Sequence, residues 1–202
     1  MPSLLFFVEK THPILREVMP EITDFSDPAL RQLIDDMCYS IMPPQLKAAS
    51  APHESAAGMA ANQWGINKRV FIFTPDGSGE GNRMEVMINP SYVPLARFGE
   101  TQPKLITGFE GCFSIPLTVG KVNRYEAISA TYYDIHGKKI ECIMEGWEAR
   151  VFQHETDHLN GKLFDGKCDQ FAGPDCVERI VFNNDEEMEA YWMNQVRLSR
   201  ER

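Results

Sequence analysis

Hydrophobic positions recur at helical spacing in three segments of the chain. Apolar residues in 26–42 are separated by three or four positions, and Pro28 suits a first helical turn. The same spacing returns in 146–159, which is followed by the helix-stopping pair Asn-Gly at 160–161, and again in 185–198. The pattern therefore predicts three helices, one of them near the C-terminal end.

Short apolar runs between the first two helices are typical of β-strands. Residues 70–73 read Val-Phe-Ile-Phe, a turn is predicted at 76–82, and residues 85–88 can pair back. Residues 126–134 and 138–144 flank Ile-His-Gly and predict a second hairpin. Such local returns favour antiparallel sheets.

These elements together predict an α+β fold. We expect antiparallel β-sheets packed around the central helix 146–159, followed by a C-terminal helix, in one domain spanning residues 1–202. Residues 43–57 are rich in Ala, Pro and Ser and predict a loop. The apolar run at 4–8 predicts a strand or a packed arm, because it is too short for a signal peptide and lacks a basic leader.

Composition narrows the class of function. A net charge of -9 argues against a nucleic-acid-binding protein, which needs a basic face. No run approaches the roughly 18 apolar residues that span a membrane. The number of cysteines is odd and their spacing irregular, so we expect a reducing, cytoplasmic compartment. Two of the five, Cys168 and Cys176, lie in a stretch that is predicted to be a loop.

The strongest chemical signal is the His-Glu-Thr-Asp-His sequence at 154–158. His154 and His158 are one helical turn apart, so both imidazoles can bind one metal ion. Glu155 lies between them and can move protons for a water molecule whose pKa the ion lowers to about 7. A chance pair of histidines on a helix is the structural alternative. His12, His53 and His136 lie in turn-like contexts that are typical of surface residues.

A catalytic metal site usually needs a third protein ligand. No histidine follows His158, so the candidates are downstream acidic residues or an upstream cysteine. Cys112 is the best upstream candidate, since Gly111 permits close backbone approach and a thiolate binds metals strongly. Its alternative interpretation is a small buried hydrophobic residue. The acidic alternatives are Asp165, Asp169, Asp175 and the glutamates within 178–189.

Three segments, in this order, resemble peptide deformylases. Residues 58–63 read Gly-Met-Ala-Ala-Asn-Gln, similar to the family's Gly-Leu-Ala-Ala-x-Gln. Residues 110–114 read Glu-Gly-Cys-Phe-Ser, similar to Glu-Gly-Cys-Leu-Ser. Residues 153–161 read Gln-His-Glu-Thr-Asp-His-Leu-Asn-Gly, similar to Gln-His-Glu-x-Asp-His-Leu-x-Gly. The resemblance extends from about Pro13 to Asp165.

The resemblance implies a metallohydrolase that removes the formyl group from the N-terminal methionine of new polypeptides. It assigns Cys112, His154 and His158 to the metal, which is Fe²⁺ in the family, with Ni²⁺, Co²⁺ or Zn²⁺ as substitutes. Glu155 is then the general acid and base. The donors to the formyl oxygen are the Gln63 side-chain amide and the Phe113 backbone N–H, and together they form an oxyanion hole.

The resemblance also implies a substrate cleft. The Gly58 backbone is expected to pair with an extended substrate, and three side chains are expected to form the methionine pocket: Ala57, Trp147 and Val151. Trp147 and Val151 also suit a purely structural role in the core. A Glu110–Arg124 ion pair would orient the cysteine loop, whereas an exposed, idle Arg124 is the alternative.

Two departures from the family pattern affect the cleft rather than the chemistry. Ala56 replaces a glycine, and alanine resists positive φ. Val119 stands where many relatives carry an arginine that meets the substrate backbone. The expected partners are formyl-methionyl nascent peptides and, transiently, the ribosome, with no direct nucleic-acid or membrane contact. A zinc endopeptidase and a non-catalytic metal-binding module are the competing functions.

Overall fold

Five antiparallel strands form the larger of two sheets in a computed structural model that describes residues 1–51, 55–75, 84–164 and 176–200. Val70 pairs with Ile88 and Ala127 with Glu145, so both predicted returns are confirmed. The turn at 76–82 lies outside the described residues. The strands stand in the order β1-β2-β3-β6-β7, with the bounds β1 (Gly58–Ala60), β2 (Val70–Phe73), β3 (Glu85–Pro94), β6 (Ala127–Tyr133) and β7 (Lys139–Glu145).

The smaller sheet has three antiparallel strands in the order β4-β5-β8. They are β4 (Leu105–Glu110), β5 (Thr118–Tyr125) and β8 (Cys176–Val181). The loop prediction for Cys176 is therefore wrong, because this residue begins β8 opposite Val122. Cys168 lies outside the described residues, as do His53 and the possible ligands at 165, 169 and 175.

The first predicted helix is confirmed as α1 (Pro28–Ser40), where the Asp27 side chain accepts a hydrogen bond from the Ala29 backbone. The predicted loop at 43–57 is wrong in part, since α2 (Pro43–Ala48) occupies its first half. Prolines at the start of a helix lose no hydrogen bond, because the first backbone N–H groups have no partner within the helix. Burial of Leu46 then fixes this short helix against the core.

The central helix α3 (Gly146–Leu159) packs against strands of the larger sheet and against β5 of the smaller one. Its buried face includes Phe152, whose ring makes an edge contact with Phe71 in β2. The helix ends at Leu159, directly before the predicted Asn-Gly stop, in which Gly161 has φ +69°. A Cβ there would lie 2.6 Å from the Arg16 backbone, so only glycine fits. Both sheets thus contact the helix that carries the His-Glu-Thr-Asp-His sequence.

The C-terminal helix α4 (Asp185–Arg200) is also confirmed. Met188 is buried, and the Tyr191 ring makes an edge contact with Phe109, one residue before the end of β4. At the other end of the chain, residues 4–8 form a packed arm: the Val8 N–H donates to the Gln63 carbonyl. No helix in the described part of the chain is long and apolar enough to cross a membrane. A single domain over residues 1–202 stays a prediction.

Candidate metal and active site

A cysteine and two histidines converge between α3 and the end of β4. One ligand atom from each of Cys112, His154 and His158 lies within 4.8 Å of the other two. Cys112 Sγ is 3.2 Å from Nε2 of His158, and both side chains are buried. Among the residues that the structure describes, no other group of three His, Cys, Asp or Glu side chains meets in this way. A thiolate and two imidazoles form a donor set that suits divalent transition metals.

The Glu155 side chain is buried beside this group, and its Oε2 has no hydrogen-bond partner. Burial raises the pKa of Glu155 to about 7. A carboxyl with such a pKa can both take and return a proton near neutral pH. The orphaned oxygen is a buried acceptor that a bound ligand can satisfy.

The two histidines differ in their electrostatic environment. Burial, reinforced by His154 and Arg124, lowers the pKa of His158 well below its ordinary value, so its ring is neutral. Burial also opposes the charge on His154, but hydrogen bonds to Cys112 and Glu110 raise its pKa. Its Nδ1 lies 2.9 Å from a Glu110 oxygen, which directs Nε2 of the same ring away from that carboxylate.

Gln63 is held with its amide toward the cysteine. Its Oε1 accepts a hydrogen bond from the Ala60 backbone at 2.9 Å, which fixes the amide orientation. Its Nε2 donates to Ser114 Oγ at 3.2 Å and lies 3.9 Å from Cys112 Sγ. Hydrogen bonds at both ends of the Gln63 amide thus hold it beside Cys112.

The predicted Glu110–Arg124 ion pair is confirmed and is buried. Arg124 donates from Nε and Nη2 to the two carboxylate oxygens, each at 2.9 Å, and also pairs with Asp157. Burial favours the neutral carboxyl, yet Arg124 and the His154 hydrogen bond hold the pKa of Glu110 well below its usual range. The alternative of an exposed, idle Arg124 is wrong. The pair supports the site through the contact between Glu110 and His154.

A cavity of about 680 Å³ opens onto these residues. Its volume lies within the range of ligand pockets. Val151 lines the cavity and belongs to the core. Trp147 lines it from the rim and is 54% exposed, so the interpretation of Trp147 as a core residue is wrong. The predicted site residues that line it are Ala57, Gly58, Gln63, Glu110, Cys112, Phe113, Trp147, Val151, His154 and Glu155.

The family model for polypeptide deformylase matches residues 5–172 of the chain. The chain belongs to the polypeptide deformylase family. The chain is 36% identical over 167 residues to the peptide deformylase of Symbiobacterium thermophilum, covering 82% of this chain and 67% of that protein. It is 38% identical over 152 residues to peptide deformylase 1 of Corynebacterium glutamicum, covering 75% of this chain and 79% of the relative.

Solved structures of deformylases share the fold. A plant peptide deformylase superposes with a TM-score of 0.67 at 31% identity, with 84% of each chain covered. A peptide deformylase from Acinetobacter baumannii, bound to Met-Ala-Ser, gives a TM-score of 0.64 at 28% identity, covering 82% of this chain and 98% of that one. This deformylase removes the N-formyl group from the N-terminal methionine of new polypeptides, and the endopeptidase and binding-module alternatives are set aside.

The two departures from the deformylase pattern have different local consequences. Among the described residues, positive φ at non-glycine positions occurs only at Ser50, Asn89 and Leu117, so Ala56 carries no such strain. Its carbonyl accepts a hydrogen bond from Thr74 Oγ1 at 2.6 Å. Val119 is fully buried in β5 and offers no side chain to a substrate.

Sequence reasoning missed two parts of the deformylase site. Arg150 donates to Glu110 at 2.7 Å and to the Ile106 carbonyl at 2.8 Å. Its position one turn before His154 was a usable signal, because a charged residue there lies on the same face of the helix. The second part is α4, whose residues Asp185, Glu189, Trp192 and Met193 line the cavity. Nothing in the local sequence pattern pointed to that contact.

Proposed function

We propose that Cys112, His154 and His158 hold one divalent metal ion and that deformylation takes place beside it, with Glu155 as the proton carrier. The observation that carries this proposal is the convergence of the three ligand atoms within 4.8 Å, next to a buried carboxylate with an orphaned oxygen. The metal is Fe²⁺ by family resemblance, and Ni²⁺, Co²⁺ or Zn²⁺ suit the same donors.

A divalent ion at this site supplies Lewis acidity and lowers the pKa of water. The chain supplies the rest of the chemistry. Glu155 accepts a proton from the attacking water molecule and passes it to the nitrogen of the departing methionine. The carbon–nitrogen bond of the formamide breaks, and the products are formate and a free N-terminal amine.

Hydrogen-bond donors are needed to stabilise the negative charge that develops on the formyl oxygen. Gln63 Nε2 is the first, because its amide is already oriented by the Ala60 and Ser114 hydrogen bonds. The backbone N–H of Phe113, next to Cys112, is the second donor in this proposal. Preorganised donors stabilise the transition state without reorganising, and loss of one typically costs about 10²–10³ in rate.

Binding of the peptide uses the edge of the larger sheet. Gly58 begins β1, and β1 is the outermost strand of that sheet, so an extended substrate can add to it as a further strand. Ala57, Trp147 and Val151 then enclose the methionine side chain. The Glu110–Arg124 pair orients His154 and does not react.

Formate release from formyl-Met-Ala-Ser tests the proposal, with protein purified without oxygen and loaded with Fe²⁺ or Ni²⁺. We expect release by the wild type, none by Cys112→Ala, and wild-type release by the matched control Cys142→Ala, which lies in β7 outside the cavity lining. Full activity of Cys112→Ala would refute the ligand assignment. Metal content is measured in each sample, so that loss of metal is distinguished from loss of turnover.

A cytoplasmic location and a transient contact with the ribosome complete the proposal, because the substrates are chains still being made. Co-sedimentation with translating ribosomes at low salt tests the contact. Recovery of the protein only in the ribosome-free fraction at every salt concentration would contradict it.

A further inference from the structure

We propose that α4 forms a wall of the substrate cleft and selects nascent peptides with basic side chains immediately after the formyl-methionine. This inference rests on the proposed function of the cleft and assigns its specificity beyond the first residue. It also assigns a role to residues outside the family match, which ends at position 172.

The α4 residues that line the cavity form one stripe of the helix. Asp185, Glu189 and Met193 are spaced by four positions, and Trp192 lies beside them. From the first to the last of these residues the helix rises about 12 Å. An extended peptide covers that length with about three or four residues. The stripe is therefore long enough to follow several substrate residues beyond the methionine.

Residues beside the stripe fix α4 in place. Met188 is only 4% exposed, and the Tyr191 ring makes contacts with both Phe109 and Phe182. Phe109 directly precedes Glu110 at the end of β4, so the docked helix stands next to the proposed metal ligands. The stripe therefore lies on a helix that is packed against β4 and Phe182.

The proposed proton carrier and the α4 stripe line the same cavity. Glu155, whose buried Oε2 has no hydrogen-bond partner, lines the same cavity as Asp185 and Glu189. A molecule that meets Glu155 with its formyl end therefore extends along α4 with its remaining residues. Because the stripe lines the same cavity as Glu155, it differs from an acidic helix surface that faces only solvent.

The chemistry of the stripe fits lysine or arginine. Asp185 and Glu189 are exposed and make no ion pair within the described part of the chain. Trp192 and Trp147 offer indole rings to the same cavity, and the Met193 side chain is 66% exposed there. A basic side chain can lay its aliphatic stem on such a surface, place its cation over an indole ring and direct it to a carboxylate. An acidic side chain would meet like charges.

Three peptides that differ only after the methionine test the inference: formyl-Met-Lys-Lys, formyl-Met-Gln-Gln and formyl-Met-Glu-Glu. We expect kcat/KM of the wild type to be about tenfold higher for the lysine peptide than for the glutamate peptide at low salt. In 1 M NaCl the ratio should fall toward one, because the screening length drops to about 3 Å. Equal rates at low salt would overturn the inference.

The double variant Asp185→Asn/Glu189→Gln assigns the preference to α4. The lysine-to-glutamate ratio is expected to fall below about threefold in this variant. Glu141→Gln/Glu186→Gln is the matched control, because it removes the same number of charges at exposed positions outside the cavity lining. It should keep the full ratio. A double variant that retains the wild-type ratio would overturn the α4 subsite. A control that loses the ratio would assign the preference to the overall charge of the protein.

Binding of the unformylated products separates this inference from the proposed function. Calorimetry with Met-Lys-Lys and Met-Glu-Glu requires no turnover. Preferential binding of the lysine peptide, lost in the double variant, supports the α4 subsite even if no formate is released. If formate is released but Met-Lys-Lys and Met-Glu-Glu bind equally, and the lysine and glutamate substrates have equal kcat/KM, the α4 subsite is overturned. The deformylase proposal would remain intact.

Discussion

Gly58 in β1 lies so close to Glu155 in α3 that a Cβ at position 58 would be 2.7 Å from Cγ and 2.9 Å from Oε1 of the glutamate. Real Cβ atoms essentially never approach other atoms to such distances. The glycine therefore sets the separation between the edge strand and the proposed proton carrier. In the proposed function the Gly58 backbone also pairs with the substrate. The same residue therefore provides both the backbone edge for the peptide and the space for the Glu155 side chain.

Gly58→Ala should displace the Glu155 side chain and lower kcat by at least about tenfold, because misplacement of a catalytic group by 1 Å can cost about 10² in rate. Steady-state formate release measures the effect. Met59→Leu is the control: it changes the next residue of the strand within the core, conserves volume and should cost less than about 1.5 kcal/mol of stability. Wild-type kcat in Gly58→Ala would show that Glu155 relaxes freely.

Glu155→Gln should keep its metal and lose turnover by at least about 10², because the amide cannot carry the proton. In the wild type the carboxylate must be ionised before it accepts a proton. Burial raises the pKa of Glu155 to about 7, and a bound dication lowers it, so kcat/KM should fall as pH decreases with a midpoint at or below 7. The nickel form, with metal content measured at each pH, gives the profile. A midpoint above 7, or no decline down to about pH 5, would contradict this role.

Arg150→Met should destabilise the protein by about 3 kcal/mol, because it removes a partner from a buried carboxylate that accepts its hydrogen bond at 2.7 Å. Affinity for Co²⁺ should fall about tenfold through the loosened support of His154. Urea unfolding and metal titration measure the two effects. Arg97→Gln is the matched control, since its pairs with Glu126 and Glu145 are partly exposed and worth less than about 1 kcal/mol. Equal losses of stability and of Co²⁺ affinity in the two variants would show that the buried Arg150 contact contributes no more than a partly exposed ion pair.

The buried Glu110 carboxylate should make the stability of the metal-free protein sensitive to acid. Its pKa in the folded state lies well below the ordinary value of 4.5, so its ionised form stabilises the fold. That stabilisation is fully present above about pH 4.5 and is lost as pH falls through the folded-state pKa. Between about pH 6 and pH 3 the stability gap between wild type and Glu110→Gln should therefore narrow.

Urea unfolding at the two pH values measures this gap. Glu141→Gln, an exposed position in β7, provides the control and should give a gap near zero throughout. A gap between wild type and Glu110→Gln that widens as the pH falls would contradict the lowered pKa.

Local pattern was enough for much of the fold. The spacing of apolar residues predicted α1, α3 and α4, and both hairpins were predicted from paired runs separated by turns. The pattern failed at Pro43–Ala48, where composition predicted a loop. Two prolines are compatible with a first helical turn, and only the burial of Leu46 in the core decides for a helix. Local preference is weak in a six-residue segment, so tertiary packing determines its state.

Short sequence motifs were enough to identify the deformylase family and to nominate the metal ligands. Helix geometry places His154 and His158 on one face, and the motifs around Gln63 and Cys112 carry the family resemblance. Which distant groups meet depended on the packing of the whole chain. Arg150 reaches Glu110 across 40 positions of sequence, and α4 reaches the cavity through its contact with Phe109. Periodicity encodes which face of an element is buried, whereas the partner of that face depends on how the sheets and helices pack.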